Sequence, residues 1–530
     1  MIKALRHIVI PITCMLFSGL QAQVTQPYRF EKEYKFNDED YSVISMEEYG
    51  LALVRETKRY KAGNRIWEFI MLDTTLSQQQ SLEIEVDQRK NLIGHEHDSA
   101  FFYLLFRSEE SIKAILNLVE INLRTAEIKQ TEIKPELAIS LTHFTKVGPN
   151  FVFGGYVNSE PAVLLYAAAQ QSMKVLPGFF QKETELVELR GNRNNTFSVI
   201  LIDRSQRDNR KLVFKIFDSA GKELLEDVIA IEGKKSLQTA LVSSLIRDDL
   251  MLLGTWGGMN SKQSAGFYGV PVDPFSDQRI TYTAFADMTN YLSHLKEAKR
   301  KRIEQKTKTA LQSGRLPDFV NYIHPLRIVE YPKGFLLLAE VFVPASSAVQ
   351  FNDNYPYYPP YPNPYSYYGP YYGNYFPYYN RMYSPYNYGN PSMRQSDEVK
   401  ITRTVLVSFT PQGTIGWDHA LELPNIRMYA LEQITDFCLT SQYLYFIYKK
   451  ESDLKITRIN LDTSESTELT ERLRLNTDLD ELRSEREQQG GVRYWYQSGF
   501  YVWGIQSVRN KTSGENATKR VFYINKIVVQ

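Results

Sequence analysis

Histidine, glutamate, histidine and aspartate follow one another at His95, Glu96, His97 and Asp98. This is the only local cluster in the chain with the donor types a metal needs. On a strand, His95 and His97 point to one face and Glu96 to the other, so the cluster offers two histidines at most. The competing expectation is a polar turn before the apolar run that starts at Phe101. Other catalytic signatures are missing. The chain has no G-x-S-x-G elbow, no G-x-x-x-x-G-K-[ST] loop and no H-E-x-x-H pair. No cofactor is expected.

Three further stretches offer surfaces for contact. Lys296 to Lys308 (KEAKRKRIEQKTK) sets seven Lys/Arg against two Glu, with Lys299, Arg300 and Arg302 as candidate contacts for an anionic partner. Thr255 to Gly269 joins aromatic residues and glycines in one hairpin, which makes Trp256 a candidate for a ligand rim. Between Tyr355 and Tyr388 lie 15 of the chain's 36 tyrosines, interleaved with proline, glycine and asparagine. Tyr357, Tyr358, Tyr367, Tyr368, Tyr371, Tyr372, Tyr378 and Tyr379 are candidate contacts in this tract. Tyrosine presents a flat apolar face and a hydroxyl, which suit a sugar or a partner protein. Proline excludes helix and interior strand, so residues 350–395 read as a disordered insertion.

The N-terminus reads as a secretory leader over residues 1–22. Lys3 and Arg6 precede an apolar run from Ile8 to Leu20, and Ala22 precedes the expected cut. The run is too short to span a bilayer comfortably, and no later run approaches the length of a membrane span. Cleavage would remove Cys14 and leave Cys438 alone, which excludes an internal disulfide. The net charge of +1 gives no global field toward nucleic acid or an anionic membrane. A periplasmic or cell-surface location follows, with an envelope protein or glycan as partner and no nucleic acid.

The elements that must position these residues recur. An apolar strand, a polar hairpin and a second strand begin at Gly50, Phe101, Phe151, Phe197, Leu250, Phe335, Tyr443 and Phe500. Most intervals are about 46–57 residues, and two are longer, about 85 and 108. Several strands per unit at this period point to an all-β fold, a β-propeller of seven or eight blades filling residues 23–530. A β-sandwich or two separate β domains is the competing architecture. The strand near Tyr41 to Met46 is expected to complete the C-terminal sheet. The two long intervals hold insertions, an exposed helix over 285–314 and the Tyr/Pro tract.

The layout, with hairpin turns such as FDSAGKEL (Phe217 to Leu224) and FTPQGTIGW (Phe409 to Trp417), resembles bacterial secreted β-propeller proteins in general. The resemblance is architectural and implies no single activity. Two readings therefore stand: a non-enzymatic module that binds protein or glycan, and a polysaccharide hydrolase or lyase with a site assembled from blade loops.

Overall fold

The computed structural model describes residues 24–344 and 399–530, apart from 36–37, 109–114, 245–248, 260, 262, 274–277, 318, 320, 429–432 and 511–517. Eight antiparallel sheets follow one another along the chain: blade 1 (42–87), blade 2 (90–133), blade 3 (140–175), blade 4 (184–230), blade 5 (235–284), blade 6 (322–428), blade 7 (435–472) and blade 8 (480–528). Every repeat start named above falls on, or one residue from, the second strand of a blade, as at Leu51–Lys61, Phe101–Ser108 and Gly499–Asn510. The repeat is visible because that strand is covered on both faces, so it reads as a near-continuous apolar run.

Apolar clusters fill each space between neighbouring blades. Trp67 and Phe69 of blade 1 meet Phe102, Leu104 and Phe106 of blade 2, with Trp67 edge-on to Phe106 at 5.2 Å. Between blades 8 and 1, Trp495, Tyr501 and Phe522 pack on Tyr41, Leu51 and Leu53. One sheet alone would leave such faces wet, and the closed ring covers them all.

Closure differs from the expectation. Arg29–Glu33 pairs with Thr518–Val528 and forms the outer strand of blade 8. Ser42–Ser45 is instead the inner strand of blade 1, paired with Leu51–Lys61. Burial gives the reason. All four residues of Ser42–Ser45 are buried, as an inner strand between two blades requires, whereas Arg29–Glu33 is half-exposed like other outer strands. Arg29 fixes the closing strand. It donates to Asn525 Oδ1 at 2.7 Å, Gln506 Oε1 at 2.8 Å and the Arg474 carbonyl at 2.9 Å, and lies over the Tyr523 ring.

The Asp or Asn that ends many repeats has a structural role. It closes the third strand with a side-chain turn. Asp73, Asn122, Asp218 and Asn460 each accept two backbone N–H groups from the following turn, at 2.8–3.0 Å. The neighbouring blade then holds these turns. Lys526 donates to the Thr74 carbonyl at 2.9 Å, Gln80 to the Leu123 carbonyl at 2.6 Å and Lys174 to the Ala220 carbonyl at 2.5 Å. Blades 5 and 6 meet through backbone instead. A Cβ placed on Gly269 would lie 2.5 Å from the Gly413 carbonyl oxygen, and Gly413 itself has φ 77°. The glycine of PQGTIGW therefore serves close blade packing.

The helix, α1, spans Glu297–Gln312, shorter than the expected insertion. The residues before it dock on blade 6 and cannot continue it. Asp418 accepts the backbone N–H groups of Thr289 and Asn290 at 2.9 and 2.8 Å, and Tyr291 stacks on Phe285 at 4.1 Å. Arg403 donates to the Tyr291 carbonyl at 2.7 Å and contacts His294 Nδ1 at 2.8 Å.

Candidate functional site

A four-stranded antiparallel blade sorts its connections by parity. Turns from inner to second strand, and from third to outer strand, leave one face of the ring, here called the lower face. Turns from second to third strand, and from outer strand to the next inner strand, leave the upper face. Helix α1 lies between Thr281–Ala284, the outer strand of blade 5, and Tyr322–Tyr331, the inner strand of blade 6. The Tyr/Pro tract leaves Gly334–Pro344 and rejoins Val399–Phe409, the second and third strands of blade 6. Both insertions therefore depart from the upper face, and both border blade 6.

The lower face is drawn together near the axis. Glu47 lies in the inner-to-second turn of blade 1 and Arg193 in that of blade 4, and their side chains pair at 3.3 Å. These blades are not neighbours in the ring. Burial raises the Glu47 carboxyl above its ordinary range, with the Arg193 charge opposing.

A belt of buried ionisable side chains runs along the inner and second strands. Glu340 is fully buried, and its Oε1 accepts Ile434 N at 2.8 Å, Thr435 N at 2.9 Å and the Thr435 hydroxyl at 3.0 Å. Glu188 accepts Val242 N at 2.9 Å. Glu96 meets the Thr145 hydroxyl and the Lys146 backbone. Asp436 accepts Tyr494 N at 2.8 Å and pairs with Arg327 at 2.7 Å. In each case the carboxylate of one blade takes a backbone N–H of the next, across the 6/7, 4/5, 2/3 and 7/8 boundaries. Burial pushes Glu96 up to about 8, and Glu188 and Glu340 up to about 7. Burial also drives His143 and His324 down to about 3, and the Arg493 charge adds to the effect at His324. These carboxylates are inter-blade fasteners, engaged before any ligand arrives.

His95 and His97 share one face of Lys90–His97, and both rings lie parallel to Phe102, at 6.2 and 6.4 Å. Burial takes His97 down to about 4. Glu96 points to the other face. Asp98 is committed to Lys146 at 3.0 Å and to the backbone N–H groups of Ala100 and Phe101. Among the described residues, no group of three His, Cys, Asp or Glu side chains gathers as a metal site.

Trp256 departs from the rim expectation. It is 1% exposed, donates to the Thr283 carbonyl at 3.2 Å and sits edge-on to Tyr282. Its glycine neighbours make room for backbone: a Cβ on Gly266 would meet the Thr283 carbonyl oxygen at 1.9 Å. On α1, Lys299 and Arg302 are exposed, while Arg300 is half-buried and pairs with Glu304 at 3.5 Å. Tyr357, Tyr358, Tyr367, Tyr368, Tyr371, Tyr372, Tyr378 and Tyr379 lie outside the described residues, as does the leader at 1–22. Sequence reasoning missed the fastening carboxylates. The signal at Glu340 is a lone acid inside an apolar run, LLLAEVFV, whereas Glu188 in ELVELRG is masked by a second acid, Glu185.

No family model matches the chain, and no curated protein matches it. Among solved structures the chain is similar to a polysaccharide lyase, at 9% identity and TM-score 0.39, over 95% of this chain and 100% of that one. It is similar to the β-propeller domain of the Trilobed protease from Pyrococcus furiosus, at 10% identity and TM-score 0.30, over 81% of this chain and 98% of that one. It also resembles an acylaminoacyl peptidase from Pyrococcus horikoshii, at 9% identity and TM-score 0.33, over 80% of this chain and 52% of that one. No helix among the described residues is long and apolar enough to cross a membrane. Among the described residues the chain is an all-β, eight-bladed β-propeller that carries one α-helix.

Proposed function

We propose that the chain is a secreted, non-enzymatic propeller of the cell envelope that holds an envelope glycan or protein on its upper face. The observation that carries this reading is the departure of both insertions from that face. The binding surfaces of repeat scaffolds are typically built from insertions on one side of a repeat. Two further facts support it. Glu96, Glu188, Glu340 and Asp436 are spent on holding blades together, and the lower mouth is crossed by the Arg193–Glu47 pair. Export is supported by the leader-like N-terminus.

Site-specific blocking tests the reading. Cys438 is the free cysteine of the described chain and is buried, so a thiol reagent would label an introduced cysteine selectively. A bulky label on Gln305→Cys, exposed on α1, should abolish retention of the chain by isolated envelope material. The same label on Asn194→Cys, exposed on the lower face, should leave retention intact. Equal loss from both labels, or loss from the lower one alone, would refute the assignment.

A further inference from the structure

Resting on the upper-face reading, we propose that α1 is a docking surface for a linear polysaccharide bearing carboxylate groups, a polyuronate. Lys299, Arg302 and Lys306 recur at i, i+3 and i+7, and all three are exposed. Helical geometry places them on one flank, in a row roughly 10 Å long. Among the described residues none of the three has an ion-pair partner within 4.0 Å, whereas Lys301 pairs with Glu297 at 2.5 Å and Arg300 with Glu304 at 3.5 Å. Residues 296–308 hold seven Lys/Arg against two Glu, yet the whole chain nets only +1. The remaining chain is therefore net acidic. A polyanion is therefore drawn to this helix and not to the net charge of the chain.

The geometry selects a polymer over a single phosphate, because the free cations are strung along two turns and do not converge on one point. It also selects against a bilayer. A membrane-surface helix needs an apolar face to bury among the lipids. Here Leu295, Ile303 and Leu316 pack on the apolar cluster that joins blades 4, 5 and 6, and Thr307 is buried. Of the large apolar side chains on α1, only Leu311 is exposed. A polyuronate presents regularly spaced carboxylates to an extended cationic row and asks for no apolar contact. Such binding is electrostatic, so it must weaken steeply with salt.

The test uses the chain from residue 23 onward and polygalacturonate as the probe, with dextran as neutral control. Duplex DNA and phosphatidylglycerol vesicles serve as the other anionic arms. The wild type should bind polygalacturonate and not dextran, with affinity falling as salt rises. The triple substitution Lys299→Glu, Arg302→Glu and Lys306→Glu should weaken binding on the order of 30-fold at low ionic strength. Reversing the opposite flank with Lys301→Glu and Lys308→Glu should cost several-fold less. An unchanged melting temperature shows that each variant folds. Equal binding by wild type and triple variant would overturn the docking surface while leaving the upper-face reading standing. Binding of DNA or vesicles as tight as that of polygalacturonate, with the same loss, would overturn the choice of polysaccharide. Cleavage of the polymer would instead refute the non-enzymatic reading.

Discussion

Glu340 gives the most quantitative handle on how the ring is held. The carboxyl is fully buried, and burial raises it from 4.5 to about 7. In the unfolded chain it titrates near its ordinary value. Between these two values the native state holds a proton that the unfolded state has released, so stability must fall as pH rises through that window. Each pH unit across the window is worth about 1.4 kcal/mol, so the full interval is worth roughly 3 kcal/mol. The proton belongs on Oε2, which has no hydrogen-bond partner among the described residues, because Oε1 already accepts three donors. Glu340→Gln keeps an oxygen for those donors and removes the titration. Urea midpoints for both proteins should be close near pH 4.5. They should diverge by pH 8, with the variant more stable by roughly 3 kcal/mol. Glu340→Ala, which orphans the three donors, should cost about 3–5 kcal/mol near pH 4.5, and that cost should shrink by pH 8 because this variant also lacks the titration. Parallel pH profiles for wild type and Glu340→Gln would show that Glu340 does not titrate in this window.

Three further outcomes test other parts of the ring. Arg29→Ala removes the guanidinium that ties the closing strand to Asn525 and Gln506, and should cost about 3–5 kcal/mol, read as a lower melting temperature and faster proteolysis near residue 33. Gly413→Ala places a side chain at φ 77° against Gly269 and should cost roughly 1–3 kcal/mol, read as a lower urea midpoint. Deleting 350–394 should leave the melting temperature unchanged, because Gly334–Pro344 and Val399–Phe409 pair along their length without it; a drop of more than a few degrees would show that the fold needs the tract.

Strand-rich repeats are legible in the sequence because burial on both faces writes apolar runs, and the Asx turns that end third strands write an Asp or Asn at a fixed place. Blade number and closure are not. A strand such as Arg29–Glu33 carries a mixed, half-exposed pattern, and nothing local says which distant strand it will join. Ser42–Ser45 departs from its expected place for the opposite reason: four buried residues are too short a run to distinguish an inner strand from a closing one. The helix is visible in composition, but its start is set by tertiary contacts of Asp418 and Arg403 that lie more than a hundred residues away. Trp256 reads like a rim residue because glycine-rich aromatic hairpins also occur where backbones pack closely. Glu96 and His97 read like one cluster, yet strand alternation sends them to different neighbours.

The most direct test of the central claim is to incubate the chain from residue 23 onward with polyuronate and with native envelope polysaccharide, and to follow retention and polymer length together. Salt-sensitive retention is expected, with no change in chain length and no new reducing or unsaturated ends. Progressive shortening of either polymer, lost on substitution of an upper-face carboxylate, would contradict it.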